Sequence, residues 1–440
     1  MLVPEPTRTT LRPQAASPDR LAYAQALTDT LSHRVAFYLY ASGIALYMLL
    51  SGPTLFHFGI LYDAPGGSAL AKVHPGTWLV LIGFALLVAQ RGNPLRVGWQ
   101  SLTDEPLLGV YAVCQFSVLL WMLVRYGGPG TVNVFETLLM PFYCVATARM
   151  LDADSRYRVL SMIVTLLVIN TLIGFAESGL QVRLIPLQMG GEEEIVEDIF
   201  RPSALLGHPL TNSIITATLL PAVMYLRLSM FARFSLMLVL WIGTIAFGGR
   251  TGFLLATFGF GAYFVARLAL RMWRGQFTYL QLTGGGVAAT AGATAVAFGI
   301  TASGVGERIF KSLSWDGSAD VRLRIWNALD FVHGQDLIIG ISPAELLHVG
   351  AQIGLESSES IENFWLIMFL LTGWMGFVPF VVGMGAVFAW LWASTQGAMR
   401  IAVPIFFAIA SSTNSLATKT VALTLFMTVV ALGRKQQFAD

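Results

Sequence analysis

Long apolar stretches recur along this chain, separated by short polar links. Inside each stretch the hydrophobic residues run on continuously, so the two-residue alternation of a half-buried strand is absent. A helix of about twenty apolar residues crosses a hydrocarbon layer of ~30 Å. The pattern predicts spans at roughly 35–52, 74–90, 106–124, 131–149, 159–177, 210–226, 232–248, 251–270, 279–302, 361–392, 398–413 and 415–433, about twelve in all. Residues 1–34, rich in Pro, Arg and Thr, read as a cytoplasmic N-terminal segment. The region 35–433 reads as one transmembrane domain and 434–440 as a cytoplasmic tail. The first apolar run begins too deep for a cleavable signal peptide and is expected to be a retained span.

Composition narrows the class. Charged residues make up 12% of the chain and hydrophobic residues 55%, whereas a soluble domain carries about a quarter charged residues. So few charges cannot cover a soluble surface of this size, and lipid is the expected solvent. Within lipid the backbone must satisfy its own hydrogen bonds, and continuous apolar runs select helices over a barrel. The expected fold is therefore an all-α, polytopic membrane bundle. A net charge of +2 gives no reason to expect a nucleic-acid partner. Cys114 and Cys144 fall inside apolar runs and form no disulfide or metal framework. No phosphate-binding loop, HExxH or GxSxG pattern occurs, so neither a metal nor another cofactor is expected. The Asp152–x–Asp154 pair reads as a solvated loop.

Charge then sets the sides. With the N-terminus inside, the inner links hold Arg91 and Arg96; Arg149, Arg156 and Arg158; Arg227 and Arg233; Arg267, Arg271 and Arg274; Arg400; and Arg434 with Lys435. Each inner link is basic, as the positive-inside rule requires, which places both termini in the cytoplasm. Two outer loops are long, at about 178–209 and about 303–360. The first carries the acidic residues Glu192, Glu193, Glu194, Glu197 and Asp198.

Several arginines fall on the outer side: Arg125, Arg183, Arg201, Arg250, Arg308, Arg322 and Arg324. Such residues are uncommon in short outer loops and call for a reason. Arg250, in FGGRTGF, is either a side chain snorkelling to lipid headgroups or part of an outward-facing anion site. Arg201 opens RPSALLGHPLTNS, an irregular run leading into the sixth span, where His208 is either a base or a helix-start polar residue. In the second outer loop, Ser318 or Asp320 can cap a helix. Val321, Ile325, Ala328, Leu329 and Val332 would line one face of that helix, with Arg322 and Arg324 on its flanks. Glu362 and Asn363 stand where water gives way to lipid at the start of the tenth span. A carboxylate there is either favoured by the helix dipole or a general base.

The ordered set RPSALLGHPLTN at 201–212, GGRTG at 248–252, RLRIWNALDF at 322–331, Gly340, ENFWL at 362–366 and GWMG at 373–376 resembles the O-antigen ligases and Wzy-type polysaccharide polymerases. The similarity covers roughly residues 195–385. Arg324 and Gly340 also have the R-x15-G spacing of some polymerases; the same spacing from Arg201 lands on Ala217. The resemblance implies a metal-independent glycosyltransferase of the bacterial inner membrane with its site facing the periplasm. Its donor would be a glycan on undecaprenyl pyrophosphate, and its partners membrane lipid, a flippase and chain-length or export proteins. Arg201 and Arg324 would then be catalytic, with Glu362 as the base and Asp320, His208 and His333 as the alternatives for that role. Arg250, Arg322, His208 and Asn363 would bind substrate. The ligases carry His-Asn where this chain has Glu362-Asn363, which favours a polymerase over a ligase that passes a finished glycan to another acceptor. A transporter or a lipid-linked oligosaccharide flippase also fits about twelve spans. Scarce mid-span charges, with Glu136 the main exception, weigh against that class.

Overall fold

The computed structural model describes residues 31–63, 68–128, 131–186, 200–276, 323–355 and 361–434. The expected span at 279–302, the acidic run from Glu192 to Asp198, Ser318, Asp320, Val321, Arg308 and Arg322 lie outside the described residues. Among the described residues every regular element is helical. The principal helices are α1 (Leu31–Leu49), α2 (Pro75–Gln90), α3 (Pro106–Tyr126), α4 (Met140–Met150), α5 (Ala153–Leu180) and α6 (Pro209–Leu219). They continue with α7 (Met230–Ala246), α8 (Arg250–Trp273), α9 (Pro343–Gln352), α10 (Phe364–Ser394), α11 (Gly397–Ser411) and α12 (Ala422–Gly433).

Among the described residues, four helices (α3, α5, α8 and α10) are long and apolar enough to cross a membrane. A fifth candidate is α2 together with Pro94–Thr103, bent by 110° relative to each other. Helices α7, α11 and α12 are apolar but shorter. Local chemistry sets the starts. Proline opens α2, α3 and α6, where its missing N–H costs nothing. Asp152 caps α5 by accepting the Ser155 amide at 2.9 Å.

Helix α1 runs along α2, α3 along α10, α4 against α12, and α8 against α11. Helix α6 sits among them, touching α7, α8, α11 and α12. Almost every residue of α6 is buried, which makes it an internal helix of the bundle.

Four expected spans depart from regular helix. The stretch expected at 131–149 contains a π-turn at Phe135–Leu139 before α4. The turn carries the buried Glu136, whose carboxylate accepts the Tyr62 hydroxyl, the His74 amide and, at 3.0 Å, the Thr77 hydroxyl. The stretch expected at 210–226 is α6 followed by a 3-10 turn, Leu220–Tyr225, with Pro221 near its start. The stretch expected at 415–433 is helical only from Ala422, after a 3-10 turn at Ser415–Ala417. The amphipathic stripe before Val332 forms a 3-10 helix, Ile325–Phe331. Ile325 and Ala328, three apart, both face inward, which matches the tighter period.

The fourth departure is a break inside α10 at Gly373, where φ is +56° and ψ −172°. The freed carbonyls there find other donors. Ile341 N–H donates to the Leu370 carbonyl at 2.7 Å, Tyr126 hydroxyl to the Leu371 carbonyl at 2.7 Å, and Trp121 Nε1 to the Thr372 carbonyl at 3.0 Å. Gly340, itself at φ +84°, packs straight onto the break, and a Cβ added there would stand 2.3 Å from the Leu371 oxygen. Backbone approaches backbone here, so neither glycine leaves room for a side chain. Arg125 closes the joint by donating from Nη2 to the Gly340 carbonyl at 3.0 Å.

Gly373→Ala should lower the thermal unfolding midpoint of the purified protein, because its backbone region is nearly glycine-only, a strain of about 1–3 kcal/mol, and its Cβ would lie 2.4 Å from the Ile338 oxygen. Gly385→Ala in the same helix meets nothing within 4 Å and should leave the midpoint unchanged or raise it.

Candidate functional site

The run from Arg201 to His208 is not helical, and α5 holds it in shape. The buried Glu177 carboxylate accepts the amides of Leu184 at 2.7 Å and Ala204 at 2.8 Å. The buried Asn170 accepts the Leu205 amide at 2.9 Å and donates to Asn212 Oδ1 at 2.7 Å. Asn212 in turn donates to the Ser203 carbonyl at 2.6 Å. Together these bonds support a non-glycine residue, Ala204, at φ +42°. Arg183 supports the start of the run by donating Nε to the Arg201 carbonyl at 3.1 Å, and it lies over the Phe200 ring.

The hairpin between α7 and α8 docks on α6 beside this run. Gly248 turns the chain at φ +68°. At Gly249 a Cβ would stand 1.9 Å from the Ser213 hydroxyl, so only glycine lets the hairpin reach α6. That contact brings Arg250, the first residue of α8, to the N-terminal end of α6. The third component comes from the start of α10. Asn363 caps that helix by accepting the Leu366 amide at 3.1 Å. The Phe364 amide donates to the Thr413 carbonyl at 3.0 Å, tying the start of α10 to the α11–α12 link.

The result is one cavity of about 110 Å³ walled by Arg201, Arg250, Glu362, Ser213, Ser412 and Thr413. Residues from four segments far apart in sequence meet there, among them Leu210 and Arg250 in the first turns of α6 and α8. Among the described residues that line it, two guanidinium groups stand against one carboxylate, a net positive set. The partial positive charge at a helix N-terminus adds to that field. Hydroxyls of Ser213, Ser412 and Thr413 supply further hydrogen-bonding groups. Such a site favours an anion, with a carboxylate close by to handle a proton.

A second cavity of about 260 Å³ adjoins the first across Leu210, which lines both. His208, Asp63 and Lys419 line it. Lys419 ties the α11–α12 link to the chain between α1 and α2: its ammonium donates to the carbonyls of Tyr62 and Lys72, lies over the Tyr62 ring and pairs with Asp63 at 3.7 Å. His208 caps α6 by accepting the Leu210 amide on Nδ1 at 3.2 Å. Burial, with Arg201 and Arg183 nearby, pushes its pKa down to about 4, so the imidazole is neutral at pH 7.

The structure thus brings Arg201, Arg250 and Glu362 together, with His208 and Asn363 adjacent. It does not bring Arg324 to that wall. Arg324 is exposed, and its Nη1 donates to the Gly354 carbonyl at 3.4 Å. Glu136, the one marked mid-span charge, is engaged by three donors. Sequence reasoning passed over Asn170, Glu177 and Lys419. The first two are isolated polar residues in an apolar run. Lys419 sits in the polar string SSTNSLATKT, which was a readable sign of a link.

Comparison with known proteins finds no family model that matches the chain and no significantly similar curated protein.

Asn170→Leu would leave the Leu205 amide and the Asn212 carbonyl oxygen without their partner, and should destabilise the protein by about 1–3 kcal/mol, read as a lower unfolding midpoint. The His208 shift gives a second expectation. Between pH 6.5 and 4 the unfolded chain binds a proton at this residue and the folded chain does not. Stability should therefore fall as pH drops through that window, and His208→Gln should flatten the slope of unfolding midpoint against pH.

Proposed function

We propose that this protein is a membrane polymerase of a bacterial surface or secreted polysaccharide. In this reading it has about twelve spans, lies in the inner membrane with both termini cytoplasmic, and presents the Arg201–Arg250–Glu362 cavity to the periplasm. It moves a growing glycan from undecaprenyl pyrophosphate onto the next lipid-linked repeat unit. The single observation that carries the reading is that Arg201, Arg250 and Glu362 share a cavity wall. Arg201 and Arg250 stood out as arginines on the expected outer side and Glu362 as a carboxylate at the start of a span, and they lie in three separate motifs of the resemblance.

The mechanism follows from the chemistry of those groups. The donor's pyrophosphate binds between Arg201 and Arg250, whose planar forks donate paired hydrogen bonds to phosphate oxygens. The acceptor sugar lies in the adjoining cavity with its hydroxyl toward Glu362. Glu362 takes the hydroxyl proton as the oxygen attacks the anomeric carbon of the donor. The new C–O bond forms while the bond from that carbon to the pyrophosphate oxygen breaks, and the arginines receive the departing charge. Pyrophosphate is a good leaving group, so positioning and charge stabilisation supply most of the rate. No step uses a metal, and none is given to Arg324, which stands off the wall.

A ligase would share this cavity and its anion chemistry. The carboxylate at 362, where the ligases have histidine, favours the polymerase.

Arg201→Ala and Arg250→Ala, made separately, should each cut the transfer rate on the order of 10²–10³-fold. In cells at equal protein level, the surface polysaccharide should shorten to few or single repeat units on a gel. Normal long chains in both variants would overturn the reading. Long chains accumulating on the carrier lipid would instead identify a ligase.

A further inference from the structure

At the opposite end of the bundle lies a larger cavity of about 470 Å³. Its wall includes Arg91 at the end of α2, Arg149 near the end of α4, Arg156 in the first turns of α5, and Arg434 just after α12. Two acids, Asp104 and Glu105, stand at the start of α3. Glu105 is already shared. It pairs with Arg149 at 3.5 Å and with Arg434, and its other oxygen accepts the Trp390 indole N–H. Arg91 donates Nη2 to the Met150 carbonyl at 3.3 Å. Burial and the Arg149 charge beside it both disfavour the Arg91 cation.

Arg156 carries the decisive observation. It is 6% exposed, and its Nε has no hydrogen-bond partner among the described residues. Among those residues no carboxylate comes within ion-pair distance of its guanidinium or that of Arg91. A buried guanidinium edge with no acceptor is costly, and a cavity wall is where an arriving acceptor can satisfy it. Among the described residues, four cations against two acids also leave this wall net positive.

We propose that this cavity is a second anion site, which takes a phosphate group between Arg156 and Arg91 with Arg149 and Arg434 at its sides. The Arg156 fork donates to the phosphate oxygens, and the new negative charge relieves the repulsion between Arg91 and Arg149. The group comes either from the headgroup of an anionic phospholipid in the adjacent leaflet or from a soluble phosphate. The site needs no glycan and stands independently of the chemistry at Arg201 and Arg250.

The test is thermal unfolding of the detergent-purified full chain at constant ionic strength, set by chloride. One arm adds inorganic phosphate. The other adds short-chain phosphatidylglycerol, with phosphatidylcholine as control. Wild type should gain on the order of 2–4 °C at saturation, and Arg156→Gln should lose that gain. Arg434→Gln keeps the core intact, because that side chain is 41% exposed, and should weaken the gain if Arg156→Gln fails to fold. A gain with phosphatidylglycerol alone assigns the site to a lipid headgroup. A gain with both probes shows that free phosphate suffices. No gain with either, or equal gains in wild type and variants, overturns the proposal.

Discussion

The architecture of the candidate site rests on a buried carboxylate and a buried amide that take the place of water. The backbone from Ser203 to Leu206 leaves helical geometry in the interior of an apolar bundle, where each unmet N–H is costly. Glu177 and Asn170, seven residues apart on α5, meet the amides of Ala204 and Leu205. Asn212 extends the network back to the Ser203 carbonyl. This lets an irregular strap pass over the top of α6 and fixes where Arg201 stands. Without those acceptors the strap would be driven toward helix or toward water, and the cavity would lose one wall.

The same economy explains how the arginines expected in outer positions divide. Arg125 and Arg183 spend donors on backbone carbonyls, closing the Gly340–Gly373 joint and the start of the strap. Arg201 and Arg250 also line a cavity wall. One residue type serves both tasks because a guanidinium has five donors in a fixed fork, enough to satisfy carbonyls or an anion. Misplacement in the apolar pattern therefore marks an arginine that has work to do, and the structure tells which kind.

Much of this was readable from sequence because the signals were contrasts. An arginine between two apolar runs stands out, as Arg250 does, and so does a carboxylate at the start of a span, as Glu362 does. The convergence of the two was not readable, since it depends on Gly249 docking against Ser213 across thirty-six residues of chain. Asn170 and Glu177 were hidden for the opposite reason. A lone amide or carboxylate amid Leu, Val and Ile looks like noise until its backbone partners are known. The R-x15-G spacing illustrates a different limit. Gly340 is required by its own positive φ and by the closeness of Leu371, whereas Arg324 points to the Gly354 carbonyl. The two residues answer to separate local demands, so their spacing alone does not place Arg324 at the cavity.

The two basic cavities show why charge count alone does not define chemistry. At the Arg156 end Glu105 is held by two arginines and an indole, so it is committed to structure. The other acid on that wall is Asp104, beside four arginines. At the other end the carboxylate of Glu362 faces the same small cavity as both arginines, next to a second polar cavity large enough for a sugar. At that end two arginines, a carboxylate and an adjoining cavity occur together among the described residues. An enzyme that displaces pyrophosphate with a hydroxyl requires that combination, and a passive lipid-binding surface does not.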